Sequence, residues 1–250
     1  MRHYVIASFL IILGLISIAY KANLAENAWQ IPYLSDFSSA LLVGGLLSLL
    51  FKIVQEKESE STLRRLLRIH DSVDELGLKE IMPEVQAYNF TNIIQDSESL
   101  VVVMNDGLRW VGNNTVALQN RFSKKSTTEI FTVDPNSTFV ATLAAKTSMS
   151  EADLKKKIHD TWARIEDAYN KSTKKGELKI YSLKTYPTKS IFLTEDELVE
   201  TPYQTASGRA SIPVFIYQKV ARHDSPYHFA KNDISAMRAE SKIEKDIKPI

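Results

Sequence analysis

The stretch FSSALLVGGLLSLLFKIV, residues 37–54, decides the fold class, because it is apolar over a length that suits a membrane-spanning helix. Its only charge is Lys52. A second apolar run, YVIASFLIILGLISIAY at residues 4–20, precedes it and carries no charge. Together the two runs predict a transmembrane hairpin over residues 1–54.

A cleaved signal peptide is the alternative interpretation of the first run, since Met1-Arg2-His3 is a basic start before an apolar core. The small-x-small sequence Ser17-Ile18-Ala19 lies inside the apolar run rather than after it. A second apolar run so close behind the first favours the hairpin.

Basic residues flank the two runs on one side. Arg2 precedes the first run, while the connecting segment 21–36 carries Lys21 against Glu26 and Asp36. The basic residues at and beyond the end of the second run are Lys52, Lys57, Arg64, Arg65 and Arg68. The positive-inside bias therefore predicts two spans with both termini in the cytoplasm.

Small residues recur every four positions in the second run, at Ala40, Gly44 and Ser48, and Gly45 widens this face. This spacing lets helix backbones approach closely in lipid. Two partners fit the face: the first helix of the same chain, through Gly14, or the hairpin of a second chain.

Residues 55–77 predict a helical linker, which Gly77 ends. The linker is either a connector that lies on the next domain or a short oligomerisation stalk.

Residues 78–230 alternate between strand and helix patterns, which predicts an α/β domain whose mainly parallel or mixed sheet is covered by helices. LVVVM at Leu100–Met104 is typical of a buried strand. Ser148 with Glu151 predicts a capping box that opens a long helix to about Ser172. The other predicted strands are Glu129–Val133, Glu177–Leu183, Ser190–Glu200 and Ile212–Gln218. Residues 231–250 predict a polar helical tail.

Composition and motifs exclude several classes of protein. The 250 residues carry a net charge of +1 and no cysteine, which excludes disulfides, thiolate nucleophiles and cysteine zinc sites. The sequence has no Walker A, GxGxxG or GxSxG motif. Its five histidines show no metal-ligand spacing. We therefore predict neither a metal nor a cofactor.

Two lysine clusters are candidates for contact with a nucleic-acid backbone. They are Lys124 with Lys125, and Lys155, Lys156 and Lys157. The alternative is a solvated helix face.

The segment from Tyr186 through Ser190 into IFLTEDELVETPY resembles the phospholipase D-like fold, where a His-x-Lys-x4-Asp motif occupies the same strand. Thr188, Ser190 and Glu195 fall at the three motif positions, with Asp196 next to the last. Neither threonine nor serine can replace the imidazole nucleophile or the lysine. LVVVMNDGLRWVGN and EIFTVDPNS also fit the first strands and phosphate-side turns of that family. The resemblance implies a degenerate domain that is not an enzyme.

A ligand or partner would then contact the pocket that remains from the lost active site. Its predicted lining is Thr188, Ser190, Glu195, Asp196, Tyr203 and Arg209.

The whole layout resembles the two-transmembrane effectors of bacterial antiphage systems, which are retron-associated or belong to cyclic-nucleotide signalling. The resemblance implies a toxin of the inner membrane that partners hold silent, and whose hairpins associate on activation and cause abortive infection. The implied partners are membrane lipid, further copies of the chain, and either a reverse transcriptase with its single-stranded DNA–RNA product or a cyclic nucleotide. A membrane-anchored phosphodiesterase or lipid head-group enzyme and a passive anchored scaffold are the alternatives.

Overall fold

Two apolar helices and one mixed sheet are the main elements of the chain. The structure is a computed structural model, and it describes residues 2–23, 30–66, 71–204 and 211–249. The chain divides into two units, Met1–His70 and Asp71–Ile250.

The first unit consists of α1 (Arg2–Ala22) and α2 (Ile31–Leu66), which pack against each other. α2 has 36 residues, so it contains both the second apolar run and the start of the predicted linker. The boundary predicted at residue 54 is not a break in the helix, because the residues that follow are Gln, Glu and Lys, which favour helix.

One helix of this unit is long and apolar enough to cross a membrane, over Ile31–Leu63 of α2. The apolar part of α1, Ile6–Ala22, is shorter and lies at the lower limit of about 17 residues for a span. Among the residues that the structure describes, one helix is thus suited to spanning, and the second span stays a prediction.

Glycines on both helices make the contact between α1 and α2. A Cβ on Gly45 would lie 2.7 Å from the Ile11 side chain and 3.2 Å from the carbonyl oxygen of Ala7. A Cβ on Gly14 would lie 2.9 Å from Leu42 and 3.3 Å from the carbonyl oxygen of Ser38. The structure therefore assigns these two glycines to packing within the chain.

The stripe of Ala40, Gly44 and Ser48 does not take part in this contact. Ala40 and Ser48 are exposed, and a Cβ on Gly44 would meet nothing within 4 Å. Contact with a second chain through this stripe stays a prediction.

Gly45→Leu is expected to separate the two helices, whereas Gly44→Leu should leave them in place. The interaxial distance should grow by about 2 Å, since it depends on the size of the contacting side chains. The chain has no cysteine, so cysteines introduced at the exposed Phe9 and Leu47 can carry spin labels for a distance measurement in nanodiscs. Equal label distances in the two variants would contradict this helix contact.

The second unit is built on an eight-stranded sheet of order β1-β7-β6-β5-β2-β3-β4-β8. The strands are β1 (Leu78–Met82), β2 (Ser99–Val103), β3 (Thr127–Val133), β4 (Glu177–Leu183), β5 (Lys189–Leu193), β6 (Glu197–Pro202), β7 (Val214–Gln218) and β8 (Lys242–Ile247). The helices are α3 (Asp71–Glu75), α4 (Thr91–Asp96), α5 (Leu108–Asn113), α6 (Thr115–Phe122), α7 (Phe139–Lys146), α8 (Glu151–Asn170) and α9 (Pro226–Glu240).

The sheet is mixed, so of the two predicted kinds of sheet, mainly parallel or mixed, the mixed one is confirmed. Only β2–β3 and β3–β4 are parallel pairs among the described strands; the other pairs are antiparallel. The strand predicted over Ser190–Glu200 is two strands, β5 and β6, which form a hairpin. β1 and β8 are antiparallel edge strands that the sequence pattern does not indicate.

Each face of the sheet has its own core. Val102 and Ile130 pack in the first core together with apolar residues of α4 to α8. Phe131 and Tyr181 lie in the second core with α9, and their rings stack 4.4 Å apart. Residues 231–250 therefore are not a free polar tail, because α9 covers one face and β8 pairs with β4.

The long helix α8 begins later than predicted. Ser150 is its N-cap residue, and its side chain accepts a hydrogen bond from the backbone N–H of Asp153. Ser148 instead has a φ of 55°, so the predicted capping box with Glu151 does not form.

Arg121 of α6 is a fully buried cation that ties this helix to the segment before β2 and to the first residues of β3. Its guanidinium donates to the hydroxyls of Thr128 and Ser97 and to four carbonyl oxygens. The carbonyl acceptors are those of Ile94, Ser97, Glu98 and Thr127. Burial lowers the pKa of Arg121 to about 10, so the side chain is still charged at pH 7.

Candidate functional site

The structure separates the residues of the predicted relic pocket. Ser190 and Tyr203 lie together at one end of the β5–β6 hairpin, where the Ser190 Oγ donates to the Tyr203 hydroxyl over 2.7 Å. The backbone N–H of Tyr203 donates to the carbonyl oxygen of Thr188 over 2.9 Å. Glu195 and Asp196 lie in the turn at the other end of the hairpin, and Arg209 is outside the described residues. The predicted pocket is therefore wrong as one site.

Glu195 has a structural role at the start of β2. Its carboxylate accepts hydrogen bonds from the backbone N–H of Glu98 at 2.9 Å and of Ser99 at 3.1 Å, and from the Ser99 hydroxyl at 3.2 Å. Burial would raise the pKa of Glu195, but these hydrogen bonds hold it below its usual value. The carboxylate thus satisfies backbone donors and faces away from the Ser190–Tyr203 end.

A cavity of about 670 Å³ opens where β2 ends, beside Ser190 and Tyr203. The crevice outside the carboxyl ends of strands is where ligands bind in α/β sheets. The volume lies within the range of about 300–1,000 Å³ that small-molecule pockets have. Its walls come from the segments around Val85–Thr91, Met104–Asn114, Leu143–Thr147, Ser190–Phe192, Thr201–Gln204 and Ile212.

An aromatic cluster forms one wall of this cavity. The Phe192 ring lies 4.6 Å from Phe90 and 5.3 Å from Trp110, measured between ring centroids. Tyr88 continues the wall, 4.8 Å from Phe90. Phe90 and Phe192 are buried in the core beneath, so the wall has fixed support.

Two buried polar atoms in the same lining have no hydrogen-bond partner among the described residues: the Oδ1 of Asn105 and the Nε1 of Trp110. Asn105 is only 8% exposed. Its backbone is fixed, because its N–H donates to the Tyr203 hydroxyl and its carbonyl accepts from Val133. An unpaired buried acceptor or donor costs about 1–3 kcal/mol, which a ligand that supplies the partner can recover.

The Tyr203 hydroxyl is held neutral beside Asn105. Burial raises the pKa of Tyr203 to about 12, although the hydrogen bonds from Ser190 and the Asn105 amide oppose this rise. The phenol is therefore neutral at pH 7 and can take part in hydrogen bonds without carrying a charge.

Cationic side chains lie at the mouth of the cavity. Arg109 and Lys146 line it and also line an adjoining cavity of about 1050 Å³, to which Lys157 and Arg164 contribute. The one carboxylate in the lining of both is Asp106, whose Oδ1 accepts a hydrogen bond from the backbone N–H of Leu108. The site is therefore basic, which favours an anionic ligand.

The predicted lysine clusters lie at opposite ends of the sheet. Lys124 and Lys125 precede β3, and the Lys124 Nζ donates to the carbonyl oxygen of Gln95. On α8, Lys156 pairs with Asp160, and the half-buried Lys155 does not line the cavities described above. Of the five lysines, Lys157 alone lines either of the two cavities, and it lies in the adjoining one.

Asn105, Arg109, Trp110 and Lys146 are not among the site residues predicted from the sequence. The signal for the first three is LVVVMNDGLRW, where polar and aromatic residues follow a buried strand directly. Lys146 ends α7 far along the chain, and no local pattern connects it with β2. Within the described ranges, the structure brings together no group of three or more metal-binding side chains.

Comparisons with known proteins leave the family open. No protein-family model and no curated protein matches the chain. The solved structure of TrmBL2, an archaeal chromatin protein with a novel mode of DNA binding, is similar over 82% of this chain and 70% of that chain. Sequence identity is 9% and the TM-score is 0.39, and a likeness of that extent carries no argument about function.

Proposed function

We propose that the chain is a membrane-anchored effector that is switched on by a small anionic ligand in the cavity beside Asn105. The observation that carries the proposal is the pair of unpartnered buried atoms, Asn105 Oδ1 and Trp110 Nε1, in a cavity with a basic mouth. Anchoring is supported by the apolar stretch Ile31–Leu63.

The effector part of the proposal rests on the resemblance to bacterial two-transmembrane antiphage proteins. In that setting both termini lie in the cytoplasm, and activated hairpins associate and disrupt the inner membrane. The volume of the cavity favours a small molecule over a reverse transcriptase and its DNA–RNA product as the regulator. The degenerate phospholipase D-like relationship and the absence of enzymatic activity belong to the same proposal.

Ligand binding can act as a switch only if the ligand binds the active state more tightly than the silent one. The lining comes from separate segments, among them the β2–α5 connection, α7 and β6. A ligand that contacts all of them would stabilise one arrangement of these segments.

Lys146→Met should weaken the response to the ligand. The full-length chain is reconstituted in liposomes that hold a self-quenched dye, and a protein-free small-molecule extract of phage-infected bacteria is added. Dye release should need about tenfold more extract in Lys146→Met, because a charge-assisted hydrogen bond is lost. Lys171→Met is the matched control, since Lys171 is exposed and pairs with Asp167 on the surface.

The proposal fails if Lys146→Met responds to extract like the unsubstituted chain. It also fails if the extract leaves dye release unchanged for all three proteins: the unsubstituted chain, Lys146→Met and Lys171→Met.

A further inference from the structure

We propose that the ligand of this cavity is a nucleotide, with its base on the aromatic wall and its phosphates at the basic mouth. The inference rests on the proposed function, because it names the class of ligand for the same site. It joins three features of the lining: ring planes, unpaired polar atoms and cations.

The aromatic wall suits a planar heterocycle. Phe90, Trp110 and Phe192 lie within 4.6 to 6.1 Å of one another. Trp110 is only partly buried and lines the cavity, so its ring can take a base on its face. An aliphatic anion would gain little from three rings in one wall.

The unpaired atoms suit the edge of a base. Asn105 Oδ1 is an acceptor and Trp110 Nε1 is a donor. A nucleobase carries amino and imino donors on its edge, so a base stacked on Trp110 can donate to the Asn105 oxygen. The Trp110 N–H lies in the plane of the indole and can donate to a ribose oxygen beside the ring. A carboxylate or phosphate offers acceptors only and would leave the Asn105 oxygen unpaired.

The cations suit phosphates that continue from the base into the adjoining cavity. Arg109 and Lys146 line both cavities, which places them where the two join. Arg164 and Lys157 lie beyond, in the adjoining cavity. Four cationic side chains against Asp106 suit a ligand with more than one phosphate charge.

Calorimetry on the full-length chain in nanodiscs tests the assignment. The probes are ATP, GTP, CTP and UTP, with the four nucleosides, tripolyphosphate, ribose 5-phosphate and a thymidine oligonucleotide as comparisons. At least one triphosphate should bind, and its nucleoside and tripolyphosphate should each bind at least about tenfold more weakly.

Asn105→Leu distinguishes a role in ligand binding from a role in stability, because its effects on affinity and on melting temperature should differ. Leucine has the same branching as asparagine and removes the unpaired oxygen, so the melting temperature of the ligand-free protein should not fall. Nucleotide affinity should nevertheless drop at least about tenfold. Trp110→Phe, which keeps a ring and removes the unpaired N–H, should behave in the same way, and Lys171→Met should bind like the unsubstituted chain.

Two kinds of failure are distinguishable. If tripolyphosphate, ribose 5-phosphate or the oligonucleotide binds as tightly as the triphosphates, or if Asn105→Leu keeps full affinity, the nucleotide assignment is overturned. The proposed function survives that result as long as Lys146→Met needs about tenfold more extract than the unsubstituted chain. If no triphosphate binds, the nucleotide assignment is overturned. If, in addition, Lys146→Met releases dye like the unsubstituted chain, the proposed function is overturned as well.

Discussion

Replacing Arg121 by methionine is expected to lower the free energy of unfolding of the α/β unit by about 3–5 kcal/mol, because several buried acceptors lose their donor. The side chain is 0% exposed and donates six hydrogen bonds to carbonyl and hydroxyl oxygens. Methionine fills a similar volume but donates to none of these acceptors. Each acceptor left buried and unpaired costs about 1–3 kcal/mol, although water can enter and recover part of the loss.

Urea unfolding of the full-length chain in detergent, followed by tryptophan fluorescence, measures this loss. A Trp29→Phe background leaves Trp110 and Trp162, both in the α/β unit, as the only tryptophans. Arg222→Met is the control, because Arg222 is 45% exposed and its partners Asp224 and Glu75 are surface carboxylates. That control should cost less than about 1 kcal/mol. Equal midpoints for the two variants would show that the buried guanidinium contributes no special stability.

Gly77→Ala is expected to cost about 2–4 kcal/mol in the same assay. Gly77 has a φ of +79°, and a Cβ there would collide with the carbonyl oxygen of Gln218. The backbone cannot move away easily, because the Gln218 N–H donates to the Gly77 carbonyl oxygen over 2.7 Å. Both the left-handed conformation and the close approach of β7 therefore require glycine.

Gly112→Ala is the matched control for stability. A Cβ on Gly112 would meet only the end of the Arg164 side chain, at 3.1 Å, and alanine favours the helix by about 0.5–1 kcal/mol. The two substitutions should thus shift the unfolding midpoint in opposite directions. A fall of the same size for both would mean that the general loss of a glycine, rather than the geometry at Gly77, governs the result.

Buried strands were predictable from sequence, whereas edge strands and turns were not. β4 matches its prediction over Glu177–Leu183, because a strand paired on both sides is apolar enough to be recognised from the sequence. β8 has the sequence KIEKDI and pairs with the sheet on one side only. Its charged side chains face solvent, so the apolar pattern that indicates a strand is missing from its sequence. The predicted strand runs through Thr194 to Asp196. These residues instead form a turn, in which the Thr194 Oγ1 accepts a hydrogen bond from the backbone N–H of Glu197.

The candidate site was predictable only where it is local. Asn105 and Trp110 come directly after β2, and their position behind a buried strand is readable from the sequence. Phe90 directly precedes α4, while Lys146 and Phe192 come from α7 and β5. Only the folded sheet brings the three to the end of that strand. The predicted pocket is wrong because the motif resemblance grouped Glu195 with Ser190, although strand β5 separates them.

The length of α2 converts small angular changes into large displacements. With 36 residues, the helix is about 54 Å long, while the hydrocarbon core of a bilayer is about 30 Å thick. In a membrane, the polar part of the helix after the apolar run, residues 55–66, would extend into water as a lever arm of about 18 Å. A change in tilt of about 20°, within the range of spanning helices, would sweep its polar end through about 6 Å. Lipid thickness and lateral pressure would then be mechanical inputs to this helix in their own right.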